Sequence, residues 1–302
     1  MTATTAVDNG TATGADTESL LVRNLKLFLS SRLSTASAMV VLLFILTAIF
    51  APFIAPHDPN ETDLFLRLQP PAWAEGGDWS YLLGCDGLGR DILSRIIYGS
   101  RVSIFIGLAV IILATAVGVM AGLAAGYLRG SVDIVISRIV DILLGFPYLI
   151  FAIGLMAMMG PGLQNIILAL VYKEWVIPCR VVRGETLVAR EVEYVEAARA
   201  LGASRSHIML REILPNILSP VIVVSTIRMA HIIILEASLS FLGLGVQPPT
   251  ASWGSMVADG QSFMLEAWWV STFPGLAILL LVLAINVTSQ GLRDAFDPKF
   301  HD

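Results

Sequence analysis

Glu193-Tyr-Val-Glu-Ala-Ala-Arg-Ala-Leu-Gly-Ala-Ser-Arg-Ser-His-Ile-Met-Leu-Arg-Glu-Ile-Leu-Pro215 is a charged, amphipathic helix–Gly–helix unit set between two apolar runs that are each long enough to cross a bilayer. Arg190 to Leu201 is a run of mostly good helix formers, and Gly202 follows it as the residue a left-handed C-cap wants. Ser204 supplies an N-cap for a second short helix, which Pro215 bounds as the next apolar run begins. Helical spacing places Tyr194, Val195, Ala198 and Leu201 on one face, with Glu191, Arg199 and Arg205 projecting elsewhere. Small Ala197 and Ala198 let this helix lie close against a partner. A membrane protein has little reason to hold such a loop in a fixed shape unless something soluble docks there. On physics alone the alternative stays open that the loop is a surface helix lying in the headgroups.

Composition around the loop is that of a membrane protein. Of 302 residues, 56% are hydrophobic and 14% charged, the mean hydropathy is +0.76, and a soluble domain carries about 25% charged residues. A net charge of −5 without a basic patch gives no case for nucleic-acid binding. Cys85 and Cys179 fall in different compartments on the topology below, so they offer neither a disulfide framework nor a metal site. Met1 to Ser19 has no Lys or Arg and is rich in Thr, Ala, Gly and Asp, which predicts a disordered tail. It is the wrong composition for a secretory signal, so the first apolar segment is expected as a retained span.

A crossing helix needs roughly 20 mostly apolar residues. Six segments qualify: Ala36–Ile54, Val102–Ala125, Val132–Met158, Gln164–Val182, Ile213–Leu235 and Val270–Gln290. The fourth carries Lys173-Glu174 near its middle. With the N-terminus inside, the inner segments hold Arg23, Lys26, Arg32, Arg129, Arg138, the arginines from Arg180 to Arg211, Arg293 and Lys299. The outer loops Gly160–Leu163 and Ser240–Trp269 hold no Lys or Arg, which sets both termini in the cytoplasm. The first outer loop breaks the pattern with Arg67, Arg90, Arg95 and Arg101, partly balanced by Asp58, Asp86 and Asp91. The expected division is a cytoplasmic tail (1–31), a first span with its outer loop (32–101), a core with the charged loop at 190–215 (102–291), and a cytoplasmic C-terminal tail (292–302).

Within the second span Ala114, Gly118, Gly122 and Gly126 recur every four residues, a stripe that lets helix backbones approach closely in lipid. It serves either packing inside this bundle or a seam with another subunit. Intramembrane ionisable residues are functional candidates by default. Asp133 and Asp141 lie eight apart near one face, with Arg138 within a turn of Asp141, as for a structural ion pair. Lys173 and Glu174 are consecutive and cannot face each other, so each needs its own partner or water. Asp141, Lys173, Glu174, Arg228, His231, Glu236 and Asn286 are the candidates for a translocation path. No nucleophile–base or metal constellation of an intramembrane enzyme is legible, and no internal repeat of a secondary transporter appears. Gly87-Leu-Gly89 follows no strand and precedes no Lys-Ser/Thr, so no Walker A loop is present.

Several blocks resemble one family. Glu196-Ala197-Ala198, then Gly202, then Leu214-Pro215 resembles the "EAA" loop of ATP-binding-cassette (ABC) importer permeases. Leu83-Gly-Cys-Asp-Gly-Leu-Gly-Arg-Asp-Ile-Leu-Ser-Arg95 resembles the block ahead of the second span in the second permease subunit of dipeptide, oligopeptide and nickel importers, with Cys85 where the family has Thr. Ser238–Gly254 and Gly291–Pro298 resemble that subunit's later blocks, so the likeness runs from about Arg32 to Lys299.

The resemblance implies an all-α, six-span membrane protein with the type I ABC importer (MetI-like) permease fold. It implies a second permease subunit as heterodimer partner, two cytoplasmic ATPases docked on Tyr194, Glu196, Ala197, Ala198, Leu201 and Gly202, and an extracytoplasmic binding protein at Pro56–Ser100 and Ser240–Trp269. ATP and Mg²⁺ would bind the ATPases, with no cofactor on this chain. The location implied is a bacterial inner membrane and the cargo peptides, with nickel or glutathione as alternatives; an ion-coupled secondary transporter is the remaining rival.

Overall fold

In the computed structural model residues 27–296 are described. Most of the expected N-terminal tail and the last residues of the C-terminal tail lie outside them. Every regular element among the described residues is helical. Short helical turns aside, in chain order these are α1 (Arg32–Ile54), α2 (Ile92–Leu128), α3 (Gly130–Gly145), α4 (Tyr148–Met159), α5 (Leu163–Glu174), α6 (Val176–Ala189), α7 (Glu193–Ala200), α8 (Leu218–Phe241), α9 (Trp253–Gln261) and α10 (Trp269–Phe296).

The Ser31 hydroxyl accepts from the Ser34 amide to start α1. This helix is apolar on all sides, and only 11% of its hydrophobic window is buried. Its outward Leu43, Ile49 and Phe53 are exposed as lipid-facing residues must be, while one edge packs on α2 and α10. The carboxylate of Asp91 caps α2 by accepting from the Ser94 amide at 2.9 Å. That cap starts the helix ten residues ahead of the expected Val102, and α2 runs for 37 residues.

Two expected spans are broken. The third is not one helix: α3 and α4 meet at 94°. Pro147 has no amide hydrogen and disfavours a helical Phe146, whose backbone is extended at φ −90° and ψ 136°. The fourth is two short helices joined at Trp175, and α6 continues to Ala189, beyond the expected Val182. In contrast, the fifth is longer than Ile213–Leu235. Arg205 to Phe241 forms one rod of 37 residues. Pro215 does not end it. The turn ahead of that residue widens into a π-helix over Ile208–Ile213, and Leu214–Ile217 tightens to 3₁₀. Both departures avoid the clash a proline ring makes with the carbonyl four residues back.

Among the described residues four helices are long and apolar enough to cross a membrane, and the bent α3–α4 pair makes five. The α5–α6 pair is the remaining candidate for a sixth. Its charges find partners on neighbouring helices: Lys173 with the Phe146 carbonyl and Glu174 with Arg228 in the interior, Arg180 with Asp141 and Arg183 with Asp133 at partly exposed positions. Pairing of this kind makes a polar segment tolerable at membrane depth.

The small-residue stripe of α2 lies against α6 of the same chain. A Cβ on Gly118 would stand 2.8 Å from the Cβ of Pro178, and one on Gly122 would stand 2.7 Å from the Cys179 carbonyl oxygen. Ala114 and Gly126 extend the contact, Ala114 being fully buried and Gly126 lying against Thr186. One apolar cluster, with Ile106, Met156, Leu170, Ile232 and Leu239, joins α2, α4, α5 and α8. A second, with Leu123, Val182, Val195, Ile208 and Ile213, lies under α7. A third, with Trp253, Trp269 and Leu281, lies at the other end of the rod under α9.

Candidate functional site

α7 begins at Glu193, three residues after the expected start, because α6 ends at Ala189 and a turn through Arg190–Val192 intervenes. Glu193 and Glu196 lie in its first turn and Arg199 in its last, the arrangement the helix dipole favours. Its end is a Schellman motif: the Ala203 amide donates to the Ala198 carbonyl at 3.1 Å and the Gly202 amide to the Arg199 carbonyl at 3.0 Å. Gly202 stands at φ +82°, a left-handed backbone that favours glycine. Ser204 caps the following turn, its hydroxyl accepting from the His207 amide.

The expected single face of α7 is in fact divided. Val195 is 0% exposed in the cluster beneath the helix, and Ala198 packs beside it. Tyr194 is 37% and Leu201 89% exposed. At about 100° per residue, Tyr194, Ala197 and Leu201 fall within one outward arc and Val195 turns inward. Glu196 and Ala197 are exposed, and a Cβ on Gly202 would meet open space. The result is an anchored helix with an outward surface of Tyr194, Ala197 and Leu201, rimmed by carboxylates.

A polar seam crosses the bundle where its helices break. The ammonium of Lys173 donates to the Phe146 carbonyl, next to the α3–α4 bend, and lies 5.3 Å from the Tyr148 ring and 5.7 Å from the Phe151 ring. Glu174 is 0% exposed and is paired through both oxygens with the Arg228 guanidinium on α8, one bond being 2.9 Å. His231, one turn along, sits edge-on to Tyr148 at 5.6 Å, and the Tyr148 hydroxyl donates to the Leu170 carbonyl at 2.8 Å. Of the path candidates, Lys173, Glu174, Arg228 and His231 thus gather in one place.

The others do not. Glu236 is fully buried further along α8, accepting from Ser103 at 3.0 Å and Ser240 at 2.8 Å. Asn286 is half-buried on α10. Asp141 is half-exposed and accepts from Arg180 at 2.8 Å, so the expected Arg138 partner is replaced by a residue of α6. Asp133 likewise takes Arg183 in a two-point contact at 2.6 and 2.8 Å. Arg180 and Arg183 were not distinguishable in sequence from the other arginines of the charged loop.

At the α9 end, the Leu83–Arg95 block closes on its own charges. Asp86 accepts from the amides of Leu88 and Arg90 and from the Arg90 side chain at 2.7 Å, with Arg95 at 3.5 Å. Arg95 also donates to the Pro59 carbonyl, and Arg90 lies 3.7 Å from Asp259 of α9. Two of the four loop arginines that break the charge pattern are therefore buried and paired. Cys85 is buried here, and burial first, then Asp91, pushes its thiol up to about 12.

A bundle of lipid-facing helices, with paired charges at its helix breaks and a rigid outward helix at one end, is a membrane permease domain. The chain belongs to the family of binding-protein-dependent transport system inner membrane components, whose model matches residues 118–302. A second model, the N-terminal transmembrane domain of oligopeptide transport permease C, matches residues 19–71. The chain is 48% identical over 260 residues to the dipeptide transport system permease protein DppC of Escherichia coli K12, covering 86% of each. It is 43% identical over 259 residues to the di/tripeptide transport system permease protein DppC of Pseudomonas aeruginosa, again covering 86% of each. The probable D,D-dipeptide transport system permease protein DdpC of E. coli K12 is 42% identical over 269 residues, 89% of this chain and 88% of that one. In fold it is similar to two inward-facing crystal forms of the MetNI methionine ABC transporter. Their TM-scores are 0.54 and 0.55 at 18% identity, covering 67% and 68% of this chain and 97% and 98% of theirs. The protein is thus an ABC importer permease subunit, multi-pass in the membrane.

Proposed function

We propose that this chain takes up di- and oligopeptides as one of two permease subunits around a shared path in a bacterial inner membrane. Both termini are cytoplasmic in this reading. Two ATPase subunits, which bind ATP and Mg²⁺, seat on α7, and an extracytoplasmic binding protein delivers peptide to the loops at the α9 end. The chain itself translocates and performs no covalent chemistry. ATP-driven closure of the ATPases moves α7, and the rod from Arg205 to Phe241 carries that motion across the bilayer; at 1.5 Å per residue it spans roughly 55 Å.

The observation that carries the docking reading is Leu201, an 89% exposed leucine on a helix end locked by its own hydrogen bonds. A helix lying in the headgroups would turn its apolar residues to the membrane, whereas Val195 already fills the bundle-facing side and Leu201 points away. Peptide as cargo is supported by the relatives above.

The test is purification of the tagged chain in mild detergent, with Leu201→Glu alongside. ATPase subunits and a second permease are expected to accompany the native chain, and the variant should keep the permease while losing most of the ATPase. A chain that runs without ATPases, or a variant that holds them equally well, overturns the reading.

A further inference from the structure

Between the end of α2 and α7 lies a cavity of about 470 Å³ lined by four arginines, Arg129, Arg190, Arg199 and Arg205, with Tyr127 and Ile208 among its walls. That volume falls within the roughly 300–1,000 Å³ of small-ligand sites. Arg190 donates to the Tyr127 carbonyl at 2.9 Å and so caps the negative end of α2. Glu191 is the one carboxylate these guanidiniums reach among the described residues, 3.0 Å from Arg190 and 3.8 Å from Arg129. Arg199 and Arg205 have no ion pair among the described residues. Arg129 is held at φ 55°, a left-handed backbone unusual for a residue with a long side chain. Four like charges line one concave space with a single opposing charge, and an anion entering it would gain from all four.

The depth of the pocket says which anion. The pocket lies where the apolar stretch of α2 ends: Tyr127, exposed Leu128 and Arg129, the first charge after the span, all line it, and an aromatic in that place is common at a membrane interface. For an α2 that crosses the bilayer, the end of its apolar stretch falls at the level of lipid phosphates. Guanidinium forks match phosphate oxygens in two-point contacts, and basic pockets between membrane helices hold anionic headgroups.

We propose that the Arg129/Arg190/Arg199/Arg205 pocket binds the phosphate of an anionic phospholipid headgroup. The lipid then ties the end of α2 to α7 and fixes the height of α7 above the bilayer. The assignment stands on the pocket alone and does not depend on what docks on the outer face of α7.

The test places the full-length chain, with whatever subunits co-purify, in nanodiscs of phosphatidylglycerol or phosphatidylcholine, then counts lipids retained after detergent release by native mass spectrometry. Phosphatidylglycerol should be retained and phosphatidylcholine not, and Arg129→Gln/Arg205→Gln should lower that retention roughly thirty-fold. Glu191→Gln removes the competing carboxylate and should raise it, which guards against a double variant that merely folds poorly. Inorganic phosphate is titrated in parallel as the soluble source. If phosphate at millimolar concentration displaces the lipid or stabilises the protein equally well, the lipid assignment fails in favour of a free anion. Equal retention of the two lipids, or a double variant that keeps its lipid, overturns the proposal. So does a double variant that keeps its lipid but sheds co-purifying subunits, since the pocket would then belong to a protein partner.

Discussion

Glu174 and Arg228 show how one pair of residues decides whether a polar segment is tolerated at membrane depth. Removing one partner of a buried pair leaves an uncompensated charge, at a cost of about 3–5 kcal/mol, whereas replacing both with apolar groups is often neutral. Arg228→Leu is therefore expected to destabilise strongly, and Glu174→Leu/Arg228→Leu to recover most of the loss, in thermal unfolding of the detergent-solubilised protein. If the double variant is no better than the single one, the pair is more than a charge-neutralising device, and a role in the path gains weight. Cys85 carries a pH dependence of definite sign. Its folded thiol titrates near 12 against an ordinary value of 9.0, so the folded state holds the proton more tightly. Its contribution is complete below about pH 9 and is lost as pH rises from there towards 12. Native Cys85 should resist maleimide at pH 8 and react on unfolding, and Cys85→Ser should flatten the alkaline loss of stability.

At the scale of elements, the contact of α2 with α6 depends on the absence of side chains along one stripe. Gly122→Leu would drive carbon into the Cys179 carbonyl and Val182, forcing the helices apart. The expected cost is about 1–3 kcal/mol or more, read as a lower unfolding temperature, while Gly154→Ala inside α4, where nothing lies within 4 Å, should not destabilise and should gain up to about 1 kcal/mol. The stripe itself was visible in sequence as a four-residue repeat. Its partner was not, because small residues say only that something approaches closely. The α3–α4 bend was not read from the sequence. The expected span ran from Val132 to Met158 straight through Pro147, since the windows that detect spans average over backbone direction and pass over a single proline. The ion pairs that join α3 to α6 are partly exposed, so each is worth little alone. Asp133→Asn/Asp141→Asn should nevertheless speed amide exchange across residues 130–145 without unfolding the rest. Unchanged exchange would mean that apolar packing alone holds α3.

At the scale of the whole molecule, contacts far apart in sequence assemble the α9 end. The Trp253 indole is 0% exposed, donates to the Ile96 carbonyl at 2.9 Å and meets Phe44 edge-on at 5.7 Å. The Trp269 indole donates to the Cys85 carbonyl at 3.3 Å. These two side chains bind the 56–91 loop and α9 to α1, α2 and α10. Trp253→Ala should cost about 3–5 kcal/mol and open residues 56–91 to proteolysis in membranes that are otherwise intact. A variant that stays protease-resistant would show that the Asp86–Arg90–Arg95 cluster suffices to hold the loops.

The sequence by itself determined that this is a multi-span helical membrane protein. Length and apolarity are local properties, and in lipid they leave helices as the way to satisfy the backbone. It also located α7, its glycine cap at Gly202 and the serine cap at Ser204, because capping depends on residues only a few positions apart. The resemblance of its ordered blocks to importer permeases named the family. Tertiary structure alone decided which faces are outward. Val195 and Leu201 look alike in a helical wheel of apolar residues, and only the cluster of Leu123, Val182, Ile208 and Ile213 turns one inward and leaves the other exposed. It alone paired Glu174 with Arg228, Asp141 with Arg180 and Asp133 with Arg183, and gathered four scattered arginines around one cavity. Those partners lie far apart along the chain, and the spacing of charges in a sequence carries no record of which helix will pack beside which.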